Sequence, residues 1–328
     1  MSYSWRGLSV DVARSFFGPD VLMRLIDRMA DLGLNRLHLH LTDDQGWRLD
    51  IPGRPELAAA SGPTSVAGGN GGYLSVREWD AVVAHADARG IVVVPEIDLP
   101  GHVNAALHAC PALNPGGIVA PAYTGDDVGF SFLSAGLPAT EEFLHDVLGA
   151  VARMTPGPWL HIGGDECPLL DDETYAELVR LAAGIVKDAG KQPIAWQEGA
   201  LAGLGRGMVL QYWRTGTTPE DDAARARLVA QVAAGADVIL SPASHTYFDL
   251  KYTPEDPVGQ DWAGTLSVAK ARDWMPEELL SIDPGRILGV EAVIWTEYIH
   301  TEERLNTMLG PRLEAFAEVA NQFRGVPS

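Results

Sequence analysis

Asp165 and Glu166 are adjacent carboxylates that follow two glycines and an apolar run, within the stretch His161-Ile162-Gly163-Gly164-Asp165-Glu166-Cys167. Glycine lets the backbone come close to a ligand, so a strand that ends this way reads as opening into a crowded polar site. If the run continues as strand, neighbouring side chains point in opposite directions, which gives the two carboxylates different tasks. One acting as general acid and the other as a fixed charge is the pairing that glycoside cleavage requires. On this reading the charge of Asp165 holds the proton on Glu166 and raises its pKa toward neutrality. A solvated acidic turn is the plain alternative. Cys167 adds another choice, a thiol nucleophile against a small buried side chain.

Such a pair needs rigid elements to hold it. Alternating patterns predict strands over 7–13, 36–41, 91–98, 159–165, 193–197, 208–213, 237–242 and 287–295. Helical periodicity predicts helices over 19–32, 76–89, 140–154, 171–189, 219–234, 266–280 and 301–323. The first of these sets Val21, Leu22, Leu25, Ile26 and Met29 on one face. Gly33, Gly90, Gly190 and Gly235 stand where a left-handed residue would close a helix. Strands that alternate with helices imply parallel pairing through right-handed crossovers. Eight such units suit a closed (β/α)8 barrel, the TIM barrel, as a single domain spanning 1–328. Its fifth helix should be short or irregular, because 198–207 is brief and rich in glycine. No glycine-rich nucleotide fingerprint follows any strand.

In such a barrel the C-terminal strand ends build the site. Those ends carry Arg14; Asp43; Glu96, Asp98 and His102; Asp165 and Glu166; Trp196 and Glu198; Trp213; His245, Tyr247 and Asp249; and Trp295 and Glu297. Tryptophans beside carboxylates suit a sugar, whose apolar face packs on indole while its hydroxyls meet charged edges. Trp196, Trp213 and Trp295, with Trp262 in the loop after strand 7, would box such a ring, or else fill the barrel core. His38, His40, His102 and His161 offer a rival reading as metal ligands. His102 beside Asp43 could instead form a hydrogen-bonded pair that tunes Glu166.

Composition narrows the partners. The chain has 24 basic and 44 acidic residues, a net charge of −20, which repels nucleic acid and anionic membrane surfaces. Two cysteines exclude a disulfide framework and a zinc ribbon. Residues Met1-Ser2-Tyr3-Ser4-Trp5-Arg6 lack the apolar core of a secretion signal. As written the chain is expected in the cytoplasm, or outside the cell if a leader has been trimmed.

The chain resembles the catalytic domain of glycoside hydrolase family 20, the β-N-acetylhexosaminidases, above all bacterial ones. The resemblance runs from about Trp5 to Val319. It rests on DVARSFF (11–17), LHLHLTDDQGWR (37–48), VVPEIDLPGH (93–102), LHIGGDE (160–166), SPASHTYFDLKY (241–252) and GVEAVIWTE (289–297). It implies exo-cleavage of terminal GlcNAc or GalNAc from an oligosaccharide, with retention and without cofactor or metal. The substrate's own 2-acetamido group would serve as nucleophile, an exception to the two-carboxylate scheme. Glu166 matches the general acid/base, Asp165 the residue that orients the acetamido group, and Tyr247 the donor to its carbonyl oxygen. Trp196, Trp213 and Trp295 match the pocket walls. Arg14, Asp249 and Glu297 match the groups that hold hydroxyls, Asp43 and His102 a supporting pair, and Trp262 a leaving-group contact. A non-hydrolytic sugar-binding barrel and a metal-dependent hydrolase stay open at this point.

The chain also departs from the family pattern. The barrel is expected to begin within the first ten residues, without the small α/β domain usual before it, and Asn321 stands where relatives usually have tryptophan. These departures lead to the expectation of a homodimer or a missing partner chain. Gln197 replaces an aspartate common at that position.

Overall fold

The computed structural model describes residues 2–322. Eight parallel strands close into a barrel: β1 (Trp5–Asp11), β2 (Arg36–His40), β3 (Val92–Glu96), β4 (Trp159–His161), β5 (Gln192–Trp196), β6 (Val209–Tyr212), β7 (Asp237–Leu240) and β8 (Ile287–Ile294). The ring shuts where β1 pairs with β8, with Gly7 beside Glu291. An added Cβ on Gly7 would strike the Glu291 carboxylate, so glycine makes room for that side chain inside the barrel. The expected closed barrel is therefore the observed one.

Helices cover the outside. The helix α1 (Pro19–Asp31) buries Leu22, Leu25, Ile26 and Met29 as its spacing predicts. Next come α2 (Val76–Asp87), opened by a Ser75–Glu78 capping box, and α3 (Pro138–Met154). Asp171 caps α4 (Asp172–Asp188) and Thr218 caps α5 (Pro219–Ala233). In the fifth unit only a 3₁₀ segment, Gln197–Ala202, replaces the helix, as the glycines suggest. Among the described residues, no helix is long and apolar enough to cross a membrane.

Three expectations need correction. The helix over 266–280 shrinks to Val268–Arg272, because Met275 is extended before Pro276, which has no N–H to continue the ladder. The last helix, α6 (Glu302–Ala320), starts under a Thr301 cap and breaks at Gly310 and Pro311; Phe323 lies outside the described residues. Most important for the site, β4 stops at His161, and Gly163 and Gly164 turn the chain with φ of 66° and 105°. Asp165 and Glu166 are thus delivered by a glycine turn and not by strand alternation.

The barrel interior is layered. Trp5, Val94, Ile194, Val209 and Ile239 form an apolar plug. Above it lie His38, Glu96, His161, Gln211 and Glu291, all buried. The larger apolar core fills the space between barrel and helices.

Candidate active site

Glu166 and His102 both sit in the left-handed region, at φ of 50° and 55°, a strained backbone state that clusters at functional sites. Several contacts hold the Glu166 turn. Asp98 Oδ1 accepts from the Gly164 N–H at 3.2 Å, and the Tyr175 hydroxyl donates to Gly164 O at 2.6 Å. A side chain at Gly163 would collide with Asp98, which explains glycine there.

The turn opens onto a cavity of about 720 Å³ at the C-terminal end of the barrel. Arg14, Asp43, Asp165, Glu166, Trp213, Tyr247, Trp262, Trp295 and Glu297 line it. Tyr247 lies nearly parallel to Trp213, 6.3 Å between centroids, and stands edge-on to Trp295 and Trp262. Trp262 is the outermost, 56% exposed at the mouth. Trp196 departs from the expected wall: it is fully buried beneath Trp295, and its indole N–H donates to Glu96 Oε1 at 2.9 Å. It forms part of the floor.

Arg14 is fixed by its neighbours. Asp11 Oδ1 accepts the N–H of Ala13 and of Arg14, and Asp43 Oδ2 meets the guanidinium at 2.8 Å. His102 bridges two expected residues, with Nδ1 3.2 Å from Asp43 Oδ1 and Nε2 3.5 Å from Glu166 Oε2. That is the supporting pair the sequence suggested. Asp249 Oδ2, Glu297 Oε2, Asp165 Oδ1 and Arg14 Nε are buried and have no hydrogen-bond partner among the described residues. Buried polar atoms are rarely left so, and three of these residues, Arg14, Asp165 and Glu297, line the one cavity, while Asp249 lies behind Trp295, whose N–H it accepts; this points to a polar ligand.

Electrostatics overturn one expectation. Burial pushes the Asp165 carboxyl up to about 7, and the nearby Glu166 and Glu198 carboxylates add to that against the charge of His102. Burial pushes Glu166 in the same direction, but His102, its Nε2 3.5 Å away, and then Arg14 outweigh it and hold Glu166 below its usual value. In the sugar-free site the proton therefore favours Asp165, the reverse of the sequence reading. Asp249 rises to about 8 and Glu297 to about 7, both chiefly through burial. Burial and the carboxylates of Asp98 and Asp165 push the Cys167 thiol far up, and its Sγ–H donates to Asp165 O at 3.2 Å, so the thiol stays protonated.

The histidines offered as metal ligands turn toward carboxylates of the chain. His38, His40 and His161 all reach Glu96, at 3.1, 2.6 and 3.0 Å. Gln197 is buried and accepts the N–H of Trp213 and of Arg214, so it shapes the β6 exit from below. The sequence reading missed Asp11 and Tyr175, whose neighbours in sequence carry no sign of the contact. It also missed the mouth residues Asp126, Arg214 and Gln260, which lie on loops without a pattern.

The family model for the glycosyl hydrolase family 20 catalytic domain matches residues 3–177 and 170–322. A β-N-acetylhexosaminidase of Cellulomonas fimi is 49% identical over 319 residues, covering 97% of this chain and 63% of that protein. A β-hexosaminidase of Vibrio furnissii is 33% identical over 356 residues, covering 96% and 56%. The solved N-acetyl-β-hexosaminidase of Streptomyces plicatus, in complex with Thio-NAglucal, superposes at a TM-score of 0.95 with 41% identity, covering 99% of this chain and 65% of that one. A variant of the latter enzyme is solved with its product GlcNAc. The chain thus spans between 56% and 65% of the length of these relatives. Barrel, cavity and motifs together lead to one assignment: the chain belongs to glycosyl hydrolase family 20 and carries the family's catalytic domain.

Proposed function

We propose that the chain is an exo-acting β-N-acetylhexosaminidase that releases terminal GlcNAc or GalNAc with retention through an oxazolinium intermediate. The observation that carries this reading is the cavity itself: apolar ring walls surround buried polar atoms that lack partners. Trp213, Tyr247 and Trp295 would sandwich the sugar and its acetamido methyl. Arg14, Asp249 and Glu297 would hold the hydroxyls. Asp165 Oδ1 would accept the acetamido N–H, which favours the Asp165 anion and returns the shared proton to Glu166. Tyr247 would donate to the acetamido carbonyl oxygen.

In the first step that oxygen attacks C1 while Glu166 gives its proton to the leaving oxygen. The C1–O bond breaks and the aglycone departs as an alcohol. The Asp165 anion stabilises the cationic ring. In the second step Glu166 takes a proton from water, the water oxygen bonds to C1, and the ring reopens to the acetamide. Two displacements return the β anomer. Asp165 immediately precedes the acid in the chain and faces the proposed acetamide, which favours a nucleophile supplied by the substrate.

Glu166→Gln is expected to slow cleavage of chitobiose by about 10²–10⁴-fold, the usual share of general acid catalysis. Retained wild-type turnover of that unactivated substrate would refute the assignment of Glu166. A GlcNAc–GalNAc release comparison addresses the preference at C4, which depends on contacts around Arg14 and Glu297.

A further inference from the structure

Below the carboxylate pair runs a ladder of alternating carboxylates and imidazoles that the reaction above leaves unused. Glu291 Oε1 lies 2.9 Å from His38 Nδ1, and His38 Nε2 lies 3.1 Å from Glu96 Oε2. The same Glu96 oxygen lies 2.6 Å from His40 Nδ1, and His40 Nε2 lies 2.7 Å from Asp43 Oδ2. Asp43 Oδ1 then meets His102, which meets Glu166. Every member below Glu166 is buried.

His40 is the decisive rung, because both its ring nitrogens face carboxylate oxygens. An ionised carboxylate only accepts hydrogen bonds, so a nitrogen at 2.6 or 2.7 Å must bring a proton. Glu96 also accepts the Trp196 indole N–H on its other oxygen, which lies 3.0 Å from His161 Nδ1. Asp43 also pairs with Arg14 and accepts the Asp44 N–H. The other charged groups around His40 do not change this count. Arg14 Nη1, 3.5 Å from Nε2, has only protons to offer, and Asp98 adds one more carboxylate close by. Just past β8, Trp295 stands edge-on to the ring, 5.1 Å between centroids.

We infer that His40 is a permanent imidazolium and that His40 and Glu96 are positioning residues for the acid, clamping Asp43 so that His102 presents Nε2 to Glu166. Burial alone would strip the charge from His40, but the Glu96 and Asp43 carboxylates outweigh it and hold the ring protonated. Asp43 keeps Oδ1 on His102 Nδ1, which fixes the His102 ring plane and so where Nε2 points. The buried cation also lowers the hold of Glu166 on its proton. This inference rests on the reading of Glu166 as the acid.

The wild-type protein gives the first test. With ¹⁵N-labelled histidine, both His40 ring nitrogens are expected to be protonated and to show no titration from about pH 5 to about pH 8. A neutral or titrating His40 overturns the inference, whatever the role of Glu166. Two variants give the second test. His40→Gln keeps an N–H toward Asp43 but removes the charge; His40→Asn is too short to reach Asp43. Chitobiose turnover is expected to fall about tenfold or more in His40→Gln and further in His40→Asn, part of the acid's contribution. A dinitrophenyl glycoside, whose leaving group needs little protonation, should lose much less. The alkaline limb of kcat/KM should move to higher pH in His40→Gln, since loss of a buried cation tightens the Glu166 proton. Equal losses on both substrates with an unmoved limb would overturn the inference. Failure of the Glu166 reading would look different: Glu166→Gln would keep chitobiose turnover while the wild-type His40 spectrum stayed that of an imidazolium. If neither variant folds, the wild-type spectrum decides.

Discussion

Asp165 and Glu297 line the cavity and Asp249 is buried beside Trp295, with their pKa values raised to about 7, 7 and 8, so near neutral pH the sugar-free site keeps protons that exposed carboxylates would lose. A bound N-acetylhexosamine brings N–H and O–H donors to these oxygens, and donors favour the anion. Binding of GlcNAc near pH 7 is therefore expected to release protons. Calorimetry in buffers of differing ionisation heat measures this directly, and zero exchange or net uptake would contradict the site's electrostatics. The placement of Asp165 and Glu166 at a polar site was legible in their residue types and adjacency. Their proton affinities were not. Adjacency shows only the charge of Asp165, whereas His102, 63 positions before Asp165 in sequence, has the larger effect on Glu166.

At the scale of elements, two buried arginines hold the loops that carry the site. Arg312 on α6 donates to the carbonyls of Phe248, Leu250 and Leu266, bracketing Asp249 right after Tyr247. Arg48 donates to Val12 O, Gly62 O, Gly72 O and Thr64 O, next to Arg14. Arg312→Met removes these donors and leaves several buried carbonyls unpaired, at a cost of about 3 kcal/mol or more. Urea unfolding should show that loss, and turnover should fall because Tyr247 and Asp249 lose their support. An unchanged unfolding midpoint would contradict the stapling role. Neither arginine was legible in sequence, since an arginine on an amphipathic helix such as α6 reads as solvent-facing. The barrel was legible because its strands alternate with apolar-faced helices such as α1. The short β4 was not, because Ile162, Gly163 and Gly164 continue an apolar run while the positive φ of the two glycines turns the chain away. Trp196 misled for a related reason: its place at the end of β5 was right, but its depth depends on the bond to Glu96 across the barrel.

At the scale of the whole molecule, the same carboxylates set how stability depends on pH. Groups with raised folded pKa values, Asp165, Asp249 and Glu297, stabilise fully below their unfolded values near about 4 and lose that contribution as pH rises through about 7 to 8. Asp43 and Glu96, held well below the usual range once their cationic partners outweigh burial, act in the opposite sense and lose their contribution as pH falls below about 4. The sugar-free protein is therefore expected to melt highest in weak acid and to lose Tm from about pH 5 to about pH 8. A Tm that rises across that window would contradict this. The central claim is that the substrate's acetamido oxygen forms the transient bond at C1. It is tested most directly by kcat/KM on glycosides whose N-acetyl group carries zero, one, two or three fluorines. A steep, monotonic fall with each fluorine is expected, because each one drains the attacking oxygen. A flat series, or a glycosyl adduct found on a side chain of the protein, would contradict it.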